Sequence, residues 1–163
     1  MYLLDSNIFI TAKNRHYGFE FVPAFWDWLD NGHAAGVLCS TSKVRQELLA
    51  GQDELTRWAN GRSPLFLSPD QAMLPSLRLL TQWATSASFT QAAVATFLAS
   101  ADFELIAYAH AHQHTVVTHE QPSPLAKKRI LIPDACDAMG VPWMDPFSML
   151  KQTRARFVLG VSA

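Results

Sequence analysis

Residues 1–10 read MYLLDSNIFI, and the assignment of this stretch decides the fold. An apolar run, Tyr2, Leu3 and Leu4, delivers an acid, Asp5, directly into Ser6 and Asn7, after which Ile8, Phe9 and Ile10 resume the apolar character. The run is too short to show helical periodicity, so the stretch predicts a buried strand, a polar turn and then a helix. In open parallel sheets, ligands bind just outside the carboxyl ends of the strands, which is where Asp5 would sit. Helix capping is the plain alternative: Asp and Asn commonly accept a backbone N–H at a helix start, and taken alone that job accounts for Asp5.

Working outward, the whole chain (1–163) is expected to form a single domain, since its 163 residues suffice for one real core but not two. Hydrophobic residues make up 49% and charged residues 17%, which excludes a disordered chain. No uninterrupted apolar stretch approaches a membrane span, and no basic-then-apolar leader opens the sequence, so a cytoplasmic protein without membrane attachment is expected. Cys39 and Cys136 are isolated and lack CxxC spacing, which argues against a disulfide framework or zinc knuckle and for packing roles. A net charge of −1 leaves any nucleic-acid argument to the site itself.

The strand, turn and helix pattern recurs. Val22, Phe25, Trp26 and Leu29 lie at helical spacing, with Pro23 in the first turn and Asn31–Gly32 as the expected stop; Trp28 falls toward the rim of that stripe. Residues 36–40 predict a second buried strand, and Thr41 or Ser42 caps a helix to about Ala50. Asp53 opens a short helix ending near Gly61, and Leu65–Leu67 adds a short strand. Residues 70–98 are mostly helical, broken around 86–88; a helix follows from about Asp102 to His112, and Thr115–Thr118 is the clearest β-branched strand. Arg129–Ile132 predicts a further strand stopped by Pro133, and the tail from Phe147 to Val161 a helix and then an edge strand. Strands separated by helices predict an α/β fold, a three-layer α/β/α sandwich with a central parallel sheet.

Four carboxylates stand out. Helical spacing places Asp102 on one stripe with Leu105, Ile106 and Ala109, so the acid faces the core side, where a charge needs a partner or a metal. The bland account is a first-turn acid favouring the positive end of the helix dipole. Glu104 points elsewhere, toward solvent. Glu47 lies one turn beyond Val44 at the margin of its helix's apolar face, where a surface pair with Lys43 would be worth well under about 1 kcal/mol. Glu120 follows the strand ending at Thr118 and so occupies the same kind of place as Asp5. Two acids end parallel strands, and two more sit on helices that can lean over the same edge. Gathered carboxylates raise one another's pKa unless a cation compensates them. Oxygen donors without cysteine favour Mg2+ or Mn2+ over zinc. His110, His112, His114 and His119 offer a rival zinc or nickel site, but a regular helix does not aim the alternating set at one face. Lys127, Lys128 and Arg129, with Arg154 and Arg156, would hold phosphates only if the acidic site is real; short basic runs are otherwise solvated surface.

With these residues in place, YLLDSNIFI (2–10) is similar to the opening of PIN-domain ribonucleases, especially toxins of the VapC kind. VRQEL (44–48), DFELIAYA (102–109) and VVTHE (116–120) resemble the second, third and fourth acidic motifs of that family, in the right order. PAFWDWL and KKRILIP resemble a less characterised PIN-like branch. The resemblance implies a PIN-like sheet with helices on both faces and a Mg2+- or Mn2+-dependent endoribonuclease site at its carboxyl edge. It implies Asp5, Glu47, Asp102 and Glu120 as metal-site acids, with Ser6 or Asn7 hydrogen-bonding nearby and Thr118 steadying the site. Glu120 departs from the pattern, since aspartate is commoner there; the extra methylene puts the fourth ligand and a two-metal scheme in question. The resemblance also implies an RNA substrate, a cognate antitoxin and frequent homodimerisation. Two rivals remain open at this stage: a non-catalytic PIN-like module that binds RNA or protein, and a haloacid-dehalogenase-type phosphatase, for which Asn7 stands where a second acid is needed.

Overall fold

The computed structural model describes residues 1–158. Its centre is a five-stranded sheet in the order β3-β2-β1-β4-β5, with every neighbouring pair parallel. The strands are β1 (Tyr2–Leu4), β2 (Leu38–Thr41), β3 (Phe66–Leu67), β4 (Thr115–Val117) and β5 (Trp143–Met144). A parallel sheet covered on both faces reads as unbroken apolar runs rather than alternation. Accordingly Leu3, Leu4, Leu38, Cys39, Val116 and Val117 are all buried.

The α-helices among the described residues are α1 (Ser6–Thr11), α2 (Pro23–Ala34), α3 (Ser42–Leu49), α4 (Glu54–Asn60), α5 (Met73–Ser86), α6 (Gln91–Ala99), α7 (Ala101–His112), α8 (Ile132–Met139) and α9 (Pro146–Gln152). They flank the sheet as a three-layer α/β/α sandwich. Helix α7 lies on β2 and β4 and is itself packed by α5, α6 and α8. Its buried stripe of Leu105, Ile106 and Ala109 explains why Asp102, on the same stripe, is drawn inward. No single described helix is long and apolar enough to cross a membrane; α6 and α7 together reach that length but are bent by 67°.

Several expectations are corrected. Gly32 does not stop α2, which continues to Ala34; a Cβ at residue 32 would come within 2.8 Å of Leu38 Cδ2, so glycine is there to let the helix approach β2. The turn is made instead by Gly36, at φ +67°. Arg129–Ile132 is not a strand: Pro133 sits in the first turn of α8 and starts an element rather than ending one. The last strand among the described residues is β5, too short to announce itself, and it precedes α9. Residues 153–158 form no strand, and the remainder of the expected edge strand lies outside the described residues. Cys39 and Cys136 are buried free thiols, as packing residues should be.

Candidate metal centre at the carboxyl edge of the sheet

Asp5 stands at the end of the central strand, where its amide donates to the Val117 carbonyl of β4 at 3.0 Å. It is the residue preceding α1, but its side chain makes no capping hydrogen bond. Capping therefore does not account for it. Asp5 is 3% exposed, and its Oδ2 accepts from the Thr118 hydroxyl at 2.9 Å.

Thr118 is the hub of a closed network. Its Oγ1 donates to Asp5 and accepts from Asn7 Nδ2 at 3.0 Å and from the Glu120 amide at 3.1 Å, which exhausts a hydroxyl's one proton and two lone pairs. Asn7 Oδ1 in turn accepts from the His119 amide at 3.1 Å. The turn after β1 and the turn after β4 are thus locked together through side chains. Ser6 lies alongside, its hydroxyl 3.4 Å from Asp5 Oδ1. Thr118 itself is held in the sheet, its amide donating to Met144 of β5 at 3.1 Å.

The electrostatics are those of uncompensated acids. Burial pushes the Asp5 pKa from 3.8 up to about 6; the Thr118 hydrogen bond pulls against it, and the charges of Glu120 and Glu47 add to the rise. Asp102, in the first turn of α7, is pushed up to about 7, again by burial first and then by Asp5, Glu120 and Glu47, with Arg129 as the one opposing charge. Cys136 on α8 feels both Asp102 and Asp5, its thiol raised by burial and by these charges and that of Asp137, so β1, α7 and α8 converge on one place.

The four acids differ in how they are held. Asp5 and Asp102 are inward and, among the described residues, without a paired cation. Glu47 is exposed on α3, close enough for its charge to be felt at both. Glu120 is 14% exposed and already committed on both oxygens: one accepts from the Ile132 amide at 2.8 Å at the start of α8, the other from the Arg129 guanidinium. Glu104 is not the solvent decoration that spacing suggests. One of its oxygens is buried, and its pKa is raised by burial against the pull of Lys43 and Ser42.

In donor chemistry, Asp5 and Asp102 fit a hard divalent cation, which would offset the burial that chiefly raises both pKa values and the repulsion from neighbouring acids that adds to it. Among the described residues no group of three or more His, Cys, Asp or Glu side chains closes around one point. The full four-carboxylate set is therefore not gathered as ligands, and neither are the histidines: His110 bonds Ser76 at 2.8 Å, and His112 lies 2.9 Å from Asp70. The Ile132 amide and the Arg129 contact with Glu120 are absent from the sequence reading. The signal that could have found them is Pro133 as a helix-start residue, which puts the amides of a helix N-terminus shortly after KKR (127–129).

No curated protein matches this chain in sequence. Among solved structures, FitAcB from Neisseria gonorrhoeae is similar, with a TM-score of 0.51 at 20% identity, covering 90% of this chain and 99% of the other. At that identity the likeness concerns the fold, and the α/β/α arrangement is PIN-like. At the level of sequence the match spans nearly everything described above, residues 2–157, and by it the chain belongs to the family described as Domain of unknown function (DUF4411).

Proposed function

We propose that this chain is a divalent-metal-dependent endoribonuclease, and the toxin of a toxin–antitoxin pair. The observation that carries the nuclease reading is the pair Asp5 and Asp102: two inward acids from β1 and α7, each held above the ordinary carboxylate range by burial and by charge from the other acids, at the carboxyl edge of a parallel sheet. Perturbed acids of this kind concentrate at functional sites. The toxin assignment, with an antitoxin as partner, RNA as substrate and a cytoplasmic setting, follows the resemblance of the four ordered acidic motifs to PIN-domain ribonucleases.

Asp5 and Asp102 would hold Mg2+ or Mn2+, with Glu47 near enough to contribute charge and to bind through water. A bound divalent ion lowers the pKa of its water and neutralises phosphoryl oxygens. The chain's own residues do the positioning. Thr118 fixes the rotamer of Asp5, Asn7 fixes Thr118, and the strand-end backbone fixes both. Glu47 is exposed on α3.

One second reading has an observation behind it. Both Glu120 oxygens are committed elsewhere, which favours a PIN-like module that binds RNA or protein without cutting. The phosphatase alternative has none, since the Asn7 side chain is tied to Thr118 and to the His119 amide. The deciding experiment is cleavage of fluorescently labelled single-stranded RNA with Mg2+, Mn2+ or EDTA, with Asp5→Asn as control. Metal-dependent cleavage lost in the variant supports the enzyme; RNA binding with no cleavage in either metal overturns it in favour of the binding module.

A further inference from the structure

We infer that Arg129 supplies, as a fixed guanidinium, the second positive charge at this centre, so that the site takes one divalent ion per chain and an RNA phosphate seats against Arg129. This rests on the nuclease reading and deepens it. Glu120 stands where a fourth acid would recruit a second ion, but its charge is already answered by the Arg129 guanidinium and by the Ile132 amide at the positive end of α8. The Glu120 side chain is 14% exposed and Arg129 is 68% exposed, so the acid is the anchor and the guanidinium is presented outward.

Two further observations place Arg129 where a substrate would need it. Its charge is the one that opposes the rise in the Asp102 pKa, so it lies within electrostatic reach of the proposed metal acids. It also lines, with Asp102, Lys128, Thr96 and Phe97, a groove of about 260 Å³ between α6 and the segment before α8. The guanidinium spends one nitrogen on Glu120 and keeps the rest of its five N–H donors, whose planar fork matches a phosphodiester. Lys128 extends the same positive wall. Glu120 is on this account a positioning residue, and Arg129 a phosphate-binding one.

The test titrates MnCl2 alone into the full chain by calorimetry, and separately follows the anisotropy of a fluorescein-labelled mixed-sequence single-stranded RNA in EDTA. Wild type is expected to bind one Mn2+ per chain. Glu120→Gln keeps the bond to Ile132 and should leave that stoichiometry at one. Arg129→Ala should weaken RNA binding by about tenfold and reduce the salt slope by about one. Arg129→Lys should recover part of the affinity, because it restores the charge without the fork. Circular dichroism checks that each variant folds. Two Mn2+ per wild-type chain, one of them lost in Glu120→Gln, would overturn the inference, as would undiminished RNA binding in Arg129→Ala while wild-type cleavage is intact. A wild type that binds neither Mn2+ nor RNA fails the nuclease reading itself and removes the inference with it.

Discussion

Thr118 and Asp5 are joined by a buried hydrogen bond of 2.9 Å between the ends of adjacent parallel strands, and the Thr118 hydroxyl that donates it accepts two more. Thr118→Val keeps the shape and removes all three bonds. Asp5 then loses the strongest influence holding its pKa down and rises above about 6. The Asn7 side chain and the Glu120 amide lose a partner, at a cost of about 1–3 kcal/mol for each group left unsatisfied. The expected outcome is a lower melting temperature and weaker Mn2+ binding near neutral pH. Thr118→Ser should keep most of both; loss in Thr118→Ser with Thr118→Val unaffected would show that the methyl group, not the hydroxyl, is what matters.

Asp5→Asn and Asp102→Asn should each abolish RNA cleavage with native circular dichroism. In EDTA each should be as stable as wild type or more so, because an uncompensated buried charge and its repulsions are removed. A large fall in melting temperature would instead identify the altered acid as half of a structural pair.

The raised acids also fix the sign of the pH dependence. Asp5 at about 6 and Asp102 at about 7 bind protons in the folded chain that the unfolded chain, near 3.8, has already released. Without metal, stability should therefore fall as pH rises from about 4 to about 7, and level off above that. His114 and His119, both lowered by burial, act in the opposite direction over part of this window. The difference in urea midpoint between wild type and Asp102→Asn cancels their effect, since both proteins carry them. That difference should grow with pH to about 7 in EDTA and shrink with saturating Mg2+.

Gly32→Ala should destabilise despite alanine's better helix propensity. The added methyl meets Leu38 Cδ2 at 2.8 Å and Cγ at 3.1 Å, and Leu38 is fully buried in β2. Overpacking costs about 1–3 kcal/mol and propensity returns at most about 1 kcal/mol, so a thermal melt should show a net loss.

How far the chain could be read in advance follows from which signals periodicity carries. Strands β1, β2 and β4 are legible because a strand buried on both faces must be an apolar run, and Asp5 is legible because an acid ending such a run has no solvent to point to. Asp102 is legible from the stripe it shares with Leu105 and Ile106. Gly32 misleads because a glycine admitted for close packing looks, in sequence, like a glycine that ends a helix. Pro133 misleads in the same way, since the ring that blocks a strand also starts a helix. Strand β5 is two residues long and carries no period at all. The partners of Glu120 come from a loop and a helix start whose path no spacing encodes, so its engagement with Arg129 and Ile132 is a tertiary fact.

The bond between Thr118 and Asp5 joins residues 113 apart in the chain, and β1 lies between β2 and β4 in the sheet. A ribosome makes the acid first and its hydroxyl partner long afterwards. Until β4 arrives, β1 has only one neighbour, and Asp5 has neither the Val117 carbonyl for its amide nor the Thr118 hydroxyl for its side chain. The centre is thus completed by a late, long-range closure of the sheet rather than by local folding. Nascent chains that stop short of Thr118 carry the acid without the device that aims it, and the proposed activity belongs to the finished molecule.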